Sequence, residues 1–435
     1  MRMRVVLIAG FSNEEMRSHL SINRYSFMVK CIMKVFKLPD RFLGFSDYGS
    51  WVKTIIDYFE KRNDIELSVV TPHLKLKHRI EDFELRGVHY YFYSSDYSHS
   101  LRLIRNKSLW MKCQNSSKRA KEIVSQIKPD MIILSGAENP VTAVPILSLG
   151  DYPRICLCQT VYNDPSMESY SKPNRLRQKI ELDVFKAVEC FGVYCKKHYD
   201  LLRANSENRL IFRFNYPSSK VFPVPLNISK EYDFVNFAQL HTGAKGTPDS
   251  VKALAIVKKK YPNVTLNIVG GCDDNMRAEL DQIIHENGLE ENVFFTPFFE
   301  RKEDLLVHIQ KSRFGVLPCK LDNTSGTMSQ CMNRKIPIVV YKTTGTPAFN
   351  KIRQCALIAE MDDIEGLAQH MISLMSDPEL AKALAENGRW YKEDQMQRHI
   401  DNWERMVENF PLIIDHFKNG TPVPQERLYN LDDDL

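Results

Sequence analysis

Three short segments in the second half of the chain carry residue types that can hold a phosphorylated ligand. The first, AQLHTGAKG at 238–246, sets Lys245 and Gly246 in a turn between a β-rich run and a helical one. A lysine at the carboxyl end of a parallel strand, beside a glycine and a helix N-terminus, suits a diphosphate. Exposed Lys-Gly turns are common, so the segment alone does not decide. The second, NVTLNIVGGCDD at 263–274, runs a buried strand into Gly270 and Gly271, where backbone can approach a ligand closely. A structural turn explains it equally well. The third, at 316–347, leaves a strand through Asp322, Asn323, Thr324, Ser325, Gly326 and Thr327 and enters a helix that carries Gln330. Such a loop offers backbone N–H groups and hydroxyls at the positive end of a helix dipole, a fit for phosphate oxygens. A plain Ser/Thr N-cap is the competing explanation.

These segments need a scaffold, and the chain supplies an alternation of β-rich runs and helical periodicity that argues for parallel sheets covered by helices. In the first half VVLIAG (5–10), ELSVVTP (66–72), GVHYYFY (87–93), DMIILSG (130–136) and RICLCQT (154–160) read as strands, with helices at 51–61 and 117–128. Pro129 stops the second of these just before its strand. The connection from 11 to 48 is too long to be structureless and is expected to hold a helix at 25–36. Prolines and polar residues at 215–230 mark a domain junction. Beyond it strands are expected within 233–239, 264–271, 292–297, 314–319 and 336–341. The helices there are 250–260, 275–287, 303–311, 328–334, 364–376, 378–387 and 395–409, and the tail from 419 reads as unstructured.

At 435 residues the chain implies two or three domains, and 43% apolar with 26% charged residues is an ordinary globular composition. No apolar run reaches membrane-spanning length. The run that opens the chain is too short for a signal peptide and reads as a buried first strand. Ten scattered cysteines, with one C-x-C (Cys156, Cys158) and no C-x-x-C, indicate neither a zinc site nor a disulfide framework. The expected location is therefore the cytoplasm. Net charge is +5, with an excess of basic residues in the first 200 and of acidic ones beyond. Residues 97–121 hold seven basic side chains and no acid, and 24–37 mix Lys30, Lys34 and Lys37 with apolar residues. That mixture allows peripheral contact at the inner face of an anionic membrane. A solvated helix face explains it as well, and no nucleic-acid recognition motif accompanies the charge.

Taken in order and spacing, the three segments resemble the donor domain of the retaining family-4 glycosyltransferases. K-G falls at Lys245-Gly246, the strand ending I-V-G-G at 268–271, LEENVFFTPF at 289–298, SRFGVLPCK at 312–320, then Ile336-Pro337 and G-T-P at 345–347. The resemblance runs from 234 to 403. It implies an α/β chain of GT-B fold, two facing Rossmann-like domains with parallel sheets and a C-terminal helix returning to the first. The expected bounds are 1–215 for the acceptor-side domain, 216–395 for the nucleotide-sugar donor domain, 396–418 for the returning helix and 419–435 for the tail. The family assigns Lys245 to the donor diphosphate, Asp322 to the sugar hydroxyls and Gln330 to the ribose. Backbone around Pro297 would meet the base, and Gly246, Gly270, Gly271, Thr324, Ser325, Gly326 and Thr327 complete the donor contacts. The chain departs from the family at Gln239, where an arginine is usual, at Gln330 and Asp322, where glutamates are usual, and at Gln159, where many relatives carry a histidine.

The expected reaction is retaining transfer from a nucleoside-diphosphate sugar to a hydroxyl of a glycan or lipid-linked acceptor in cell-surface polysaccharide or glycolipid synthesis. No cofactor or metal is expected, since the one D-x-D, at 432–434, lies in an acidic tail. The two thinned acidic and basic positions keep open a catalytically weak nucleotide- or glycan-binding partner of another transferase. A sugar-nucleotide epimerase on the same architecture is the third reading.

Overall fold

The computed structural model of the chain describes residues 2–22, 49–73, 76–95, 113–165, 175–206, 208–217, 228–238, 243–299, 301–320, 325–343 and 345–430. They divide into two compact units, Met1–Ser219 together with Arg398–Leu435, and Lys220–Gln397.

In the first unit the elements run β1 (Met3–Ile8), α1 (Glu14–Ser18), α2 (Ser50–Phe59), β2 (Ile65–His73), β3 (Ile80–Leu85), β4 (Val88–Ser94) and α3 (Gln114–Ile127). They continue with β5 (Met131–Ser135), α4 (Pro140–Ile146), β6 (Arg154–Cys158), α5 (Arg175–Ala187), β7 (Cys190–Val193), α6 (Lys196–Asn205) and β8 (Leu210–Arg213). The eight strands lie in the order β3-β4-β2-β1-β5-β6-β7-β8, parallel except for β3. Continuous apolar runs such as Val5–Ile8 follow from burial on both faces. Val5 and Leu7 enter one core and Val6 and Ile8 the other. β3 was not foreseen, because Glu81, Asp82 and Glu84 break its apolar pattern. It is an edge strand, joined to β4 by Arg86 and Gly87, both at positive φ (51° and 76°), the conformation a two-residue hairpin turn requires. The four-residue strands β7 and β8 have no counterpart among the expected strands. α3 begins three residues earlier than expected, and the expected helix at 25–36 lies outside the described residues.

At the carboxyl end of β6, Glu181 of α5 is wholly buried and accepts hydrogen bonds from the Tyr162 amide (2.9 Å), the Asn163 amide (2.8 Å) and Asn163 Nδ2 (2.7 Å). Burial outweighs these bonds and pushes its carboxyl up to about 7. The folded chain therefore binds this proton more tightly than the unfolded one. The stabilisation is full below an unfolded pKa of about 4.3 and is lost as pH rises toward 7. Against Glu181→Gln, which does not titrate, wild-type stability is expected to fall by up to roughly 3 kcal/mol between these pH values. Urea midpoints of both proteins across that range check it, and a pH-independent gap would refute it.

The second unit comprises β9 (Tyr232–Phe237), α7 (Thr247–Lys258), β10 (Leu266–Val269), α8 (Asp274–Glu286), β11 (Val293–Thr296), α9 (Lys302–His308), β12 (Ser312–Leu317), α10 (Gly326–Asn333), β13 (Ile338–Tyr341), β14 (Leu357–Ala359) and α11 (Ile364–Ser376). Its six strands are all parallel, in the order β11-β10-β9-β12-β13-β14. This is the doubly wound arrangement in which chain direction across the sheet reverses between β9 and β12. Only the three-residue β14 has no counterpart among the expected strands.

The expected helices at 378–387 and 395–409 are one, α12 (Pro378–Glu408), and α13 (Phe410–Asn419) follows. Helix-compatible residues across 388–394 explain the fusion, since only Gly388 interrupts them. The last turns of α12 belong to the first unit, where Trp403 is fully buried with its ring edge-on to Tyr58 (6.1 Å) and Phe59 (6.0 Å). The expectation of an unstructured tail fails as far as residue 430. The Tyr429 amide donates to Ile211 O (2.7 Å) and its ring stacks on Tyr199 at 5.0 Å.

Candidate functional site

The reversal of strand order brings the carboxyl ends of β9 and β12 side by side, and the first and third predicted segments start there. After β9 the chain reaches a 3-10 turn, Gly243–Lys245, then Gly246 and α7. After β12 it passes through Pro318, Cys319 and Lys320. The two stretches are bonded directly: Lys320 N donates to Ala244 O (2.9 Å), Cys319 Sγ lies 3.6 Å from the same oxygen, and Lys245 Nζ approaches Cys319 Sγ at 3.9 Å. Gly246 has φ +68°, and a Cβ there would fall 2.0 Å from Pro318 O. This glycine is thus required by backbone packing at the crossover, whatever a ligand adds.

A buried polar network fixes this corner. Asn236 of β9 donates to Ser250 Oγ (3.0 Å) and Val316 O (2.8 Å) and accepts from Thr247 Oγ1 (2.9 Å), and Ser250 Oγ donates back to Gly246 O (3.3 Å). The first turn of α7 is thereby tied to both central strands. Sequence reasoning missed Asn236; its signal was a lone amide inside the otherwise apolar run of β9. Asn236→Leu would take a partner from two hydroxyls and a carbonyl, and unfolding is expected to become easier by roughly 2–4 kcal/mol. A denaturant titration checks this, with an unchanged midpoint as the contrary result.

Asp249 and Lys320 were also missed. Lys320 Nζ bridges Asp249 Oδ2 (2.8 Å) and Asp362 Oδ1 (2.6 Å), and buried Asp249 also accepts from Tyr341 OH (3.0 Å). Partial burial works to lower the Lys320 pKa, but the hydrogen bonds and charges of the two aspartates outweigh it and raise it. Lys320 stays charged and holds the end of β12 to α7 and to the segment after β14.

The second segment stands alongside. Gly270 follows β10 with φ +141°, and a Cβ there would lie 2.0 Å from Ala238 O, whereas Gly271 has no neighbour within 4 Å of that position. Pro297 is exposed at the end of β11, next to Gly270, whose amide donates to Thr296 O (3.1 Å). Ser325 precedes α10 in N-cap position but makes no capping hydrogen bond, and its hydroxyl pairs instead with Thr327 Oγ1 at 2.5 Å. The plain N-cap reading of this serine does not hold, and among the described residues Ser325 leaves the first-turn amides of α10 without a side-chain cap. Gly326 has open space at its Cβ position. Gln330 lies one turn into α10, its Oε1 buried with no hydrogen-bond partner among the described residues. The adjacent Ser329 Oγ accepts from Lys392 Nζ (3.1 Å), a lysine that burial pushes down to about 8. Gln239, Asp322 and Thr324 lie outside the described residues.

Gln159 directly follows β6 in the first unit, and the long basic stretches fall mostly outside the described residues. Residues 114–121 belong to α3, where Lys118 and Lys121 are exposed. No described helix is long and apolar enough to cross a membrane.

Residues 220–390 match the family model described as glycosyl transferases group 1, a span that coincides with most of the second unit. Among curated proteins, an uncharacterized glycosyltransferase of Haemophilus influenzae is 24% identical over 165 residues, covering 38% of this chain and 45% of that protein. The chain thus spans about half the length of this relative. Among solved structures, the sucrose-phosphate synthase of Thermosynechococcus elongatus superposes with a TM-score of 0.63 at 14% identity, covering 97% of this chain and 100% of the other. Anabaena HepE in complex with UDP superposes at 0.59 and 12% identity, covering 95% and 100%. At such identities the superpositions speak for the fold alone, which is GT-B. Residues 220–390 thus match the glycosyl transferases group 1 model, within a chain of GT-B fold.

Proposed function

We propose that this protein transfers a sugar from a nucleoside-diphosphate sugar to a hydroxyl acceptor, with retention at the anomeric carbon and the donor held by the second unit. The observation that carries the reading is the joined pair of stretches 243–246 and 318–320 at the switch point. It fixes Lys245 at the place where doubly wound sheets bind ligands. The barrier to be lowered is departure of the diphosphate from an oxocarbenium-like centre. Fixed positive charge and N–H dipoles must therefore face the oxygens on which negative charge accumulates. Lys245 supplies the charge, and the backbone from Ser325 into the first turn of α10, which the Ser325 hydroxyl does not cap, supplies the dipoles. The orphaned Gln330 Oε1 suits a ribose hydroxyl donor, and Asp322 is assigned to the sugar hydroxyls by the family resemblance. HepE binding UDP favours a uridine nucleotide.

In this reading the acceptor is a glycan or lipid-linked hydroxyl of cell-surface polysaccharide or glycolipid synthesis, reached at the cytoplasmic membrane face. Exposed Lys118 and Lys121 on α3 and the basic balance of the first half support that location. Thermal unfolding against UDP-, GDP- and CDP-sugars and the matching diphosphates tests the donor site. At 100 times its dissociation constant a ligand adds about 2.7 kcal/mol, so one nucleotide series is expected to raise the midpoint selectively. No shift with any of them would move the reading to a non-catalytic partner.

A further inference from the structure

The sheet of the first unit has its own reversal of strand order, between β1 and β5. β5 ends at Ser135, and Gly136 follows with φ +84°. A Cβ on Gly136 would sit 3.0 Å from Glu138 Oε2 and 3.5 Å from Oε1. The glycine therefore leaves the space in which the Glu138 carboxyl folds back over the strand end. That carboxyl bonds the Glu138 backbone amide, yet its Oε2 is buried with no hydrogen-bond partner among the described residues. Buried polar atoms are nearly always paired, so an orphan at a strand end calls for a reason. The contrast with Glu181 is direct, since both of that carboxylate's oxygens accept hydrogen bonds.

The surroundings define what would pair with it. Ser135 Oγ and Tyr216 OH share one hydrogen bond at 3.1 Å. Two hydroxyls in one mutual bond keep a second proton to donate. The end of β5 thus offers a lone-pair oxygen and, three residues earlier in the chain, a hydroxyl donor. That complements a hydroxyl group, which both donates and accepts. Burial raises the Glu138 pKa while Arg177 pulls it down, and Arg177 itself is engaged with Tyr162 OH at 2.6 Å. A buried carboxyl with no cation bonded to it disfavours a phosphate or carboxylate on the ligand.

We infer that Glu138 Oε2 binds a hydroxyl of a neutral sugar or polyol, which makes the carboxyl end of β5 the acceptor-substrate site and sets its preference against phosphorylated acceptors. The inference rests on the transferase reading for the word acceptor, while the site itself is tested separately from the donor.

The test is saturation-transfer NMR on the full chain with methyl α-D-glucopyranoside, methyl β-D-galactopyranoside, glycerol and glucose 6-phosphate, using Glu138→Leu and Glu138→Gln beside wild type. At least one neutral probe is expected to bind wild type, to lose about tenfold or more in affinity in Glu138→Leu and to recover part of it in Glu138→Gln, which keeps an acceptor oxygen. Glucose 6-phosphate is expected to bind more weakly than the neutral probes. Thermal midpoints of both variants should equal or exceed wild type, because the orphaned acid is removed. Binding indifferent to Glu138→Leu, absence of binding by every neutral probe, or preference for the phosphate overturns the inference. So does a lowered midpoint with unchanged probe binding, the signature of a structural water on Oε2. The nucleotide-induced shift should persist in both variants. If wild type shows no such shift but the glycoside arm succeeds, the donor reading has failed and this site has not.

Discussion

Lys245→Ala is expected to reduce sugar transfer by roughly 10²–10³-fold and to abolish the midpoint shift induced by the donor diphosphate, with the second unit still folded. The expectation comes from where the ammonium stands. Lys245 closes the 3-10 turn 243–245, immediately before the glycine that packs on Pro318. Its position is thus set by backbone contacts of its neighbours. Its approach to Cys319 Sγ, at 3.9 Å, is a weak interaction, and truncation removes the charge that, in the proposed reading, faces the leaving group. Circular dichroism and thermal unfolding verify that the fold survives. Lys245→Met serves as the neutral near-isostere: it keeps most of the apolar stem and should be as inactive as alanine. Full turnover in either variant would remove the donor assignment, and a collapsed midpoint in both would instead show that Lys245 is structural.

The same corner explains why much of this site is legible in the amino-acid sequence and some of it is not. The Lys245-Gly246, Gly270-Gly271 and 325–327 segments are legible because strand-to-helix turns in doubly wound sheets use recognisable residue types at strand ends. What holds them is hidden, because the ties span long stretches of chain. Asn236 reaches Val316 across 80 residues, Asp249 meets Tyr341 across 92, and Lys320 bridges elements that only the sheet order brings together. No local pattern encodes such pairings. The edge hairpin of β3 and β4 is half visible, since charged residues on an exposed edge erase the apolar period that marks a strand. Ser325 shows the opposite error: its residue type announces a helix cap, but the hydroxyl turns to Thr327 instead.

The glycines separate packing from ligand approach, and their substitution should produce the largest stability effects in the molecule. Gly246→Ala combines a left-handed backbone (φ +68°) with a Cβ placed 2.0 Å from Pro318 O. The backbone conformation costs about 1–2 kcal/mol and forced overpacking about 1–3 kcal/mol. A loss on the order of 3–5 kcal/mol is expected, enough to take a large share of the stability of an ordinary domain. Gly270→Ala should behave alike, because its Cβ would meet Ala238 O at 2.0 Å. The residue beside it is the control. At Gly271 a Cβ would have no neighbour within 4 Å, and φ is not positive, so alanine there should be neutral or stabilising by up to about 1 kcal/mol. Calorimetric midpoints of the three variants should therefore fall into two groups, with equal losses at 270 and 271 as the contrary result. Gly271→Ala then carries a second, functional reading. If the open face beside it is where donor oxygens approach backbone, the methyl group should raise the KM for the sugar nucleotide while the midpoint holds. An unchanged KM would leave Gly271 as a turn residue and restrict the phosphate contacts to Lys245 and the first turn of α10.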